Sequence, residues 1–162
     1  MKNVSKNYSS LNTAVLFMVF NRPNTTSRVF EEIKKAKPPR LYIAADGPRK
    51  EKDGEVELIK KVREIVTAVN WSCEVKTLFR EKNLGCKSQT SSAITWFFKN
   101  EEQGIILEDD DLPHKDFFYF CDFLLNYYRN DNRILTISGN NFQDGVKRGE
   151  ASYYFSKYFQ CW

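Results

Sequence analysis

Residues 104–111 read GIILEDDD, an apolar run that passes without a break into four consecutive carboxylates, Glu108, Asp109, Asp110 and Asp111. Four apolar or small residues closed by charge have the length and composition of a short buried β-strand. Similar runs recur on both sides of it: 14–20 (AVLFMVF), 41–45 (LYIAA), 74–79 (EVKTLF) and 134–138 (ILTIS). Successive starts lie about thirty residues apart, the size of one β-α unit. Three of the runs are solidly apolar rather than alternating, which predicts strands covered on both faces of a mostly parallel sheet.

The intervals carry helical periodicity. Leu58, Val62, Ile65, Val66 and Val69 form one stripe, with Asp53 placed as an N-cap. Phe117, Cys121, Leu124, Leu125 and Tyr128 repeat that spacing after Pro113. A shorter helix turns Val29, Ile33 and Ala36 inward and stops at Pro38-Pro39, and residues 87–99 form another, aromatic-rich at its end. Strands alternating with helices predict an α/β fold, Rossmann-like, with helices flanking the sheet. No linker or repeat divides the 162 residues, so a single domain is expected, with residues 1–12 as a polar leader outside the ordered core.

The bulk numbers exclude several classes. A chain that is 41% hydrophobic and 15% aromatic is not a disordered segment. The net charge of +4 is spread among acids, with no basic block for a nucleic-acid groove. Cys73, Cys86, Cys121 and Cys161 are scattered and His114 is the single histidine, so a zinc site is not expected. His114 reads as a polar residue near a helix start. The longest apolar run is about a third of the roughly 20 residues that span a bilayer. A cytoplasmic protein with reduced thiols, at most peripheral to a membrane, is the expectation.

In open α/β sheets ligands bind outside the carboxyl ends of the strands. Those ends carry Asn21-Arg22-Pro23, then Asp46-Gly47-Pro48-Arg49, then Arg80 with Asn83-Leu84-Gly85-Cys86-Lys87, then the acid run, then Gly139-Asn140-Asn141. Adjacent carboxylates repel by roughly 1 kcal/mol per close pair in water and more when partly buried. A hard divalent cation such as Mn²⁺ or Mg²⁺ offsets that repulsion. A helix N-terminus also favours negative charge, but that accounts for one or two acids rather than four. Asp46-Gly47 and Asn83-x-Gly85 are what turns select as well, and Arg22, Arg80 and Lys87 stand out only by gathering opposite the acids.

Together these pieces resemble the GT-A glycosyltransferases, especially the family 2 enzymes and the N-acetylglucosaminyltransferase I group. Residues 104–120 (GIILEDDDLPHKDFFYF) carry most of the likeness, with Glu108-Asp109-Asp110 in the place of the D-x-D motif and a Phe-rich helix after it. Residues 135–141 (LTISGNN) are similar to the strand and loop that follow there, and the likeness runs from about Ala14 onward. The resemblance implies a metal-dependent, inverting transferase that moves a sugar from a nucleoside-diphosphate donor, a UDP-sugar, to an acceptor. It implies that Asp46 contacts the base or ribose with Arg22 close by. Asn83, Gly85 and Lys87 would shape the loop beside the diphosphate, and Asp109 would bond the ribose or sugar. Asp110 would ligate Mn²⁺, with Glu108 and Asp111 at the same metal; the extra acid also allows an Asp109-x-Asp111 register.

The resemblance further implies that the catalytic base and the acceptor contacts lie beyond Trp162, since neither Asp144 nor Glu150 matches the base. The aromatic stretch 153–162 is expected to pack irregularly or to pair with another chain. Two other readings stay open: a nucleotide-sugar-binding module without turnover, and a sugar nucleotidyltransferase. The second needs a glycine-rich loop where this chain has Asn21-Arg22-Pro23-Asn24.

Overall fold

The computed structural model describes residues 11–140, 145–146 and 150–157. Four strands and four helices alternate: β1 (Val15–Val19), α1 (Pro23–Ala36), β2 (Arg40–Ala45), α2 (Glu55–Thr67), β3 (Glu74–Phe79), α3 (Cys86–Phe98), β4 (Ile105–Glu108) and α4 (Phe117–Tyr127). All strand pairs are parallel, and the order across the sheet is β3-β2-β1-β4. Val15 registers with Leu41 on one side and with Ile105 on the other. β1 is therefore central, and all five of its residues are buried.

Side-chain alternation along the strands builds two cores. Val15, Phe17 and Val19 face α1, α2 and α4, where Val29, Phe30, Ile33, Val62, Val66, Phe118 and Cys121 meet them. Ala14, Leu16 and Met18 face the other way, with Tyr42 and Ala44, onto Ala93 and Phe97 of α3. The chain steps from β1 to β3 with its helices on one face, then returns to β4 with α3 on the opposite face. Reversing direction and face together keeps the crossover hand unchanged, as parallel sheets require. This order is that of doubly wound sheets, whose crevice opens between the two strands where the order reverses. Here those are β1 and β4.

α1 opens on Pro23 at its first turn and ends where Lys37 turns left-handed (φ 51°) ahead of Pro38-Pro39. α2 differs from the expected stripe. Gly54, not Asp53, stands at its N-cap with φ 75°, and the buried positions are Glu55, Ile59, Val62 and Val66, while Leu58 is exposed. The helix turns so that Glu55 faces inward, where Arg49 and Asn21 receive its carboxylate.

The fifth expected strand is not formed. Residues 134–140 run irregularly, with Leu135 93% exposed. Ile137 packs on the core beside α4, and Gly139 backs onto the Phe117 ring. Docking on α4 holds this segment off the free edge of β4. A groove of about 770 Å³ lies between them, lined by Ile105, Ile106 and Leu107 on one wall and Thr136 and Ile137 on the other. Tyr153 and Phe155 pack irregularly against Tyr128, with the Tyr128 and Tyr153 hydroxyls 2.7 Å apart. Residues 1–10, Asn141, Asp144 and 158–162 with Cys161 lie outside the described residues. Among the described residues no helix is long and apolar enough to cross a membrane, and Cys73, Cys86 and Cys121 are free thiols.

Candidate functional site

The ends of β1 and β4 meet through one arginine. Arg22, immediately before α1, donates Nη2 to Asp109 and Nη1 to Asp110 (2.6 Å for the latter). Asp109 is 2% exposed; its other oxygen accepts the Phe20 N–H at 3.2 Å and the buried Thr26 hydroxyl at 3.5 Å. A buried carboxylate needs such partners to stay charged. Burial alone pulls the Arg22 pKa down, but its hydrogen bonds to Asp110 and Asp109 reverse this and raise it above the ordinary arginine value.

The rest of the acid run folds on itself. The Asp111 N–H donates to the Glu108 carbonyl at 3.2 Å, and Asp111 Oδ2 accepts the Glu108 N–H at 3.4 Å. Burial first, then the charges of Asp110, Asp111 and Asp109, push the Glu108 carboxyl up from its ordinary value. Burial likewise raises Asp111, against its bond from Glu108 N–H. Asp110, with its side chain 48% exposed, points outward. Among the described residues no three His, Cys, Asp or Glu side chains converge as a ready-made metal cage.

A second node stands at the ends of β2 and β3. Asp46 is buried, and its two oxygens accept from Gly47 N–H, Asn83 Nδ2, Leu84 N–H and Gly85 N–H at 2.8–3.1 Å. Asn83 also donates to the Gly47 carbonyl at 3.0 Å and accepts the Gly85 N–H. The two turn signals of the sequence are thus one locked structure. Gly47 is there because a Cβ would lie 2.5 Å from the Lys82 backbone. Gly85 ends the loop at φ 79° and starts α3, which leaves Lys87 exposed on the first helical turn.

The structure thereby joins Arg22, Asp109 and Asp110 in one cluster and Asp46, Asn83 and Gly85 in another. Arg22 pairs with the acids of β4 rather than with Asp46. Arg80 is drawn aside to the Ser92 hydroxyl of α3, 3.2 Å away. His114, exposed before α4, bonds locally to Asp116.

Between the nodes lies a cluster that the periodicity reading passed over. Glu55, 4% exposed, accepts from Asn21 Nδ2 at 2.9 Å, from Arg49 N–H at 2.7 Å and from the Arg49 guanidinium through Nε and Nη2. The Arg49 guanidinium lies 5.5 Å from the Phe20 ring centroid. An acid in phase with the stripe of Ile59, Val62 and Val66 was the available signal. The Arg49 side chain foremost, then the Arg49 N–H and Asn21, hold the Glu55 carboxyl down at about 2 against its burial. A depressed carboxylate contributes stability that is full above its ordinary value near 4.5 and is lost as pH falls from there toward 2. The urea midpoint of the wild type is therefore expected to fall between pH 6 and pH 3, and Glu55→Gln to flatten that fall. Parallel declines in the two proteins would remove Glu55 from the pH dependence.

No protein-family model and no curated protein sequence matches the chain.

Proposed function

We propose that this chain is the donor-binding part of a GT-A type glycosyltransferase that takes a UDP-sugar with a divalent cation and passes the sugar to an acceptor hydroxyl. One observation carries the reading: the acid run stands at the junction of β1 and β4, where the strand order reverses, and Arg22 ties Asp109 and Asp110 to the end of β1. Doubly wound sheets bind nucleotides at this switch point.

The residues fit a hard cation. All the donors are carboxylate oxygens, Asp110 faces outward, and Glu108 and Asp111 stand beside it with mutual repulsion still to be offset. Mg²⁺ commonly takes one or two carboxylates and completes its shell with substrate phosphates and water, so a three-acid protein cage is not required. Asp110 is the ligand in this reading, with Glu108 or Asp111 as the second. When bound, the cation supplies charge to set against that developing on the departing diphosphate.

The chain's own residues do the rest. Arg22 holds the acid pair in one arrangement, and Asp109 fixes Phe20 and the start of α1. Asp46 and Asn83 hold the loop that opens α3 about two strand spacings away, roughly 10 Å, a separation over which a nucleoside diphosphate can extend. A cytoplasmic setting accompanies the proposal, in keeping with the free thiols.

The test is calorimetric titration of UDP with and without Mn²⁺, on the wild type and on Asp110→Ala. Metal-dependent binding is expected, with a loss of at least roughly 10-fold in Asp110→Ala, the size of one charge-assisted contact. Metal-independent binding, or equal affinity in the variant, sinks the metal assignment. No binding of UDP sinks the donor assignment.

A further inference from the structure

We propose that Arg49, clamped by Glu55, is a phosphate-contacting residue of the same crevice; the inference rests on the nucleotide reading above. Most guanidinium groups at this edge of the sheet already have protein partners. Arg22 spends both Nη groups on Asp109 and Asp110. Arg63 gives Nη2 to the Asp46 and Arg80 carbonyls, and Arg80 gives Nη2 to Ser92. Around the ends of β1 and β4, one guanidinium faces four acids, so an arriving phosphate gains little direct attraction from Arg22.

Arg49 is placed differently. Glu55 takes Nε and Nη2, and Nη1 donates to no protein group among the described residues. The side chain is 48% exposed and rests over Phe20, whose own N–H is bonded to Asp109. Arg49 and the acid run therefore stand on opposite sides of the β1 terminus. An anion seated above that terminus meets free N–H donors on the β2 side and the carboxylates, with their cation, on the β4 side.

Glu55 makes this placement a prepared one. It neutralises Arg49 before any ligand arrives and fixes the planar fork, so little side-chain freedom remains to be lost on binding. Closing the 49–55 loop does not need the guanidinium, because Glu55 already bonds the Arg49 N–H and the Asn21 amide. The guanidinium is the part left over for a ligand.

The experiment compares UDP with Mn²⁺, by calorimetry, and uridine alone, by chemical-shift titration, on the wild type, Arg49→Met and Arg49→Lys. Arg49→Met is expected to weaken UDP about 10- to 100-fold while leaving uridine within about twofold, because only UDP carries the group that Arg49 contacts. Arg49→Lys should recover part of the loss, as it keeps the charge but not the fork. Should Arg49→Met not fold, Arg49→Gln, which keeps a donor toward Glu55, replaces it. Unchanged UDP affinity in the variants overturns the inference alone. So does an equal loss for UDP and uridine, the mark of a residue that only shapes its loop. A wild type that binds no UDP removes the nucleotide reading and this inference with it.

Discussion

Asp46→Asn is expected to destabilise the protein by about 3–5 kcal/mol, although it changes neither the size nor the shape of the side chain. Both oxygens of Asp46 act only as acceptors, and four donors converge on them. An asparagine must put an NH₂ group where one oxygen stands, and that group then faces N–H donors instead of accepting from them. An amide at Oδ1 orphans the Gly47 N–H, and one at Oδ2 orphans the Gly85 N–H and the Asn83 amide; these groups cannot turn elsewhere, because Gly47 and Lys82 pack backbone against backbone beside them. For a chain of this length the change corresponds to a fall of roughly 6–20 °C in Tm. Hydrogen exchange should show the amide of Gly47 or of Gly85, each bonded to a single Asp46 oxygen, losing protection first. A variant that melts within about 2 °C of the wild type would mean that the loop is held by something other than Asp46.

This loop also shows what the sequence made legible. Asp46-Gly47 and Asn83-x-Gly85 each read as a turn, and they stand in the irregular stretches that follow β2 and β3. Their pairing could not be read, since they are separated by 37 residues and nothing local to either names the other. The strands were readable for a different reason. Burial on both faces demands apolar residues throughout, and the polar residues that follow mark the carboxyl edge without ambiguity. β3 was the hardest case, an edge strand with alternating composition and exposed residues at its start.

The limits have physical causes as well. The run 134–138 has the composition of a strand, but composition does not fix which surface an apolar residue will seek, and Ile137 seeks the core beside α4. Leu58 and Ile59 both suit a helical stripe, and the one that faces inward is in phase with Glu55, whose carboxylate is held by the Arg49 N–H and the Asn21 amide. The acid run announced a concentration of charge. That Arg22 rather than a lysine or another strand end would answer it depends on β1 lying next to β4, a fact of topology.

The second large effect is expected at Phe97. The core on the α3 face is small, and its large fully buried side chains are Phe97, Tyr42 and Leu16. Phe97 meets Tyr42 edge to face at 4.9 Å and fills the space above Gly104. Phe97→Ala should cost about 3–5 kcal/mol, read from denaturant midpoints, since the cavity lies between a rigid sheet and a helix that cannot close on it. Gly104 fits this ring from the other side: a Cβ there would lie 2.2 Å from Phe97 Cζ and 3.1 Å from the Ala14 carbonyl oxygen. Gly104→Ala is thus an overpacking change, expected to cost about 1–3 kcal/mol, because Tyr42 blocks the ring's retreat. The two positions should couple. Leucine at 97 lacks the outer ring atoms that collide, so in a Phe97→Leu background Gly104→Ala should lose most of its cost. That gives an interaction energy of about 1–2 kcal/mol in a double-mutant cycle. Additive costs would show that the strain at Gly104 comes from the Ala14 backbone, and that the ring is free to move aside.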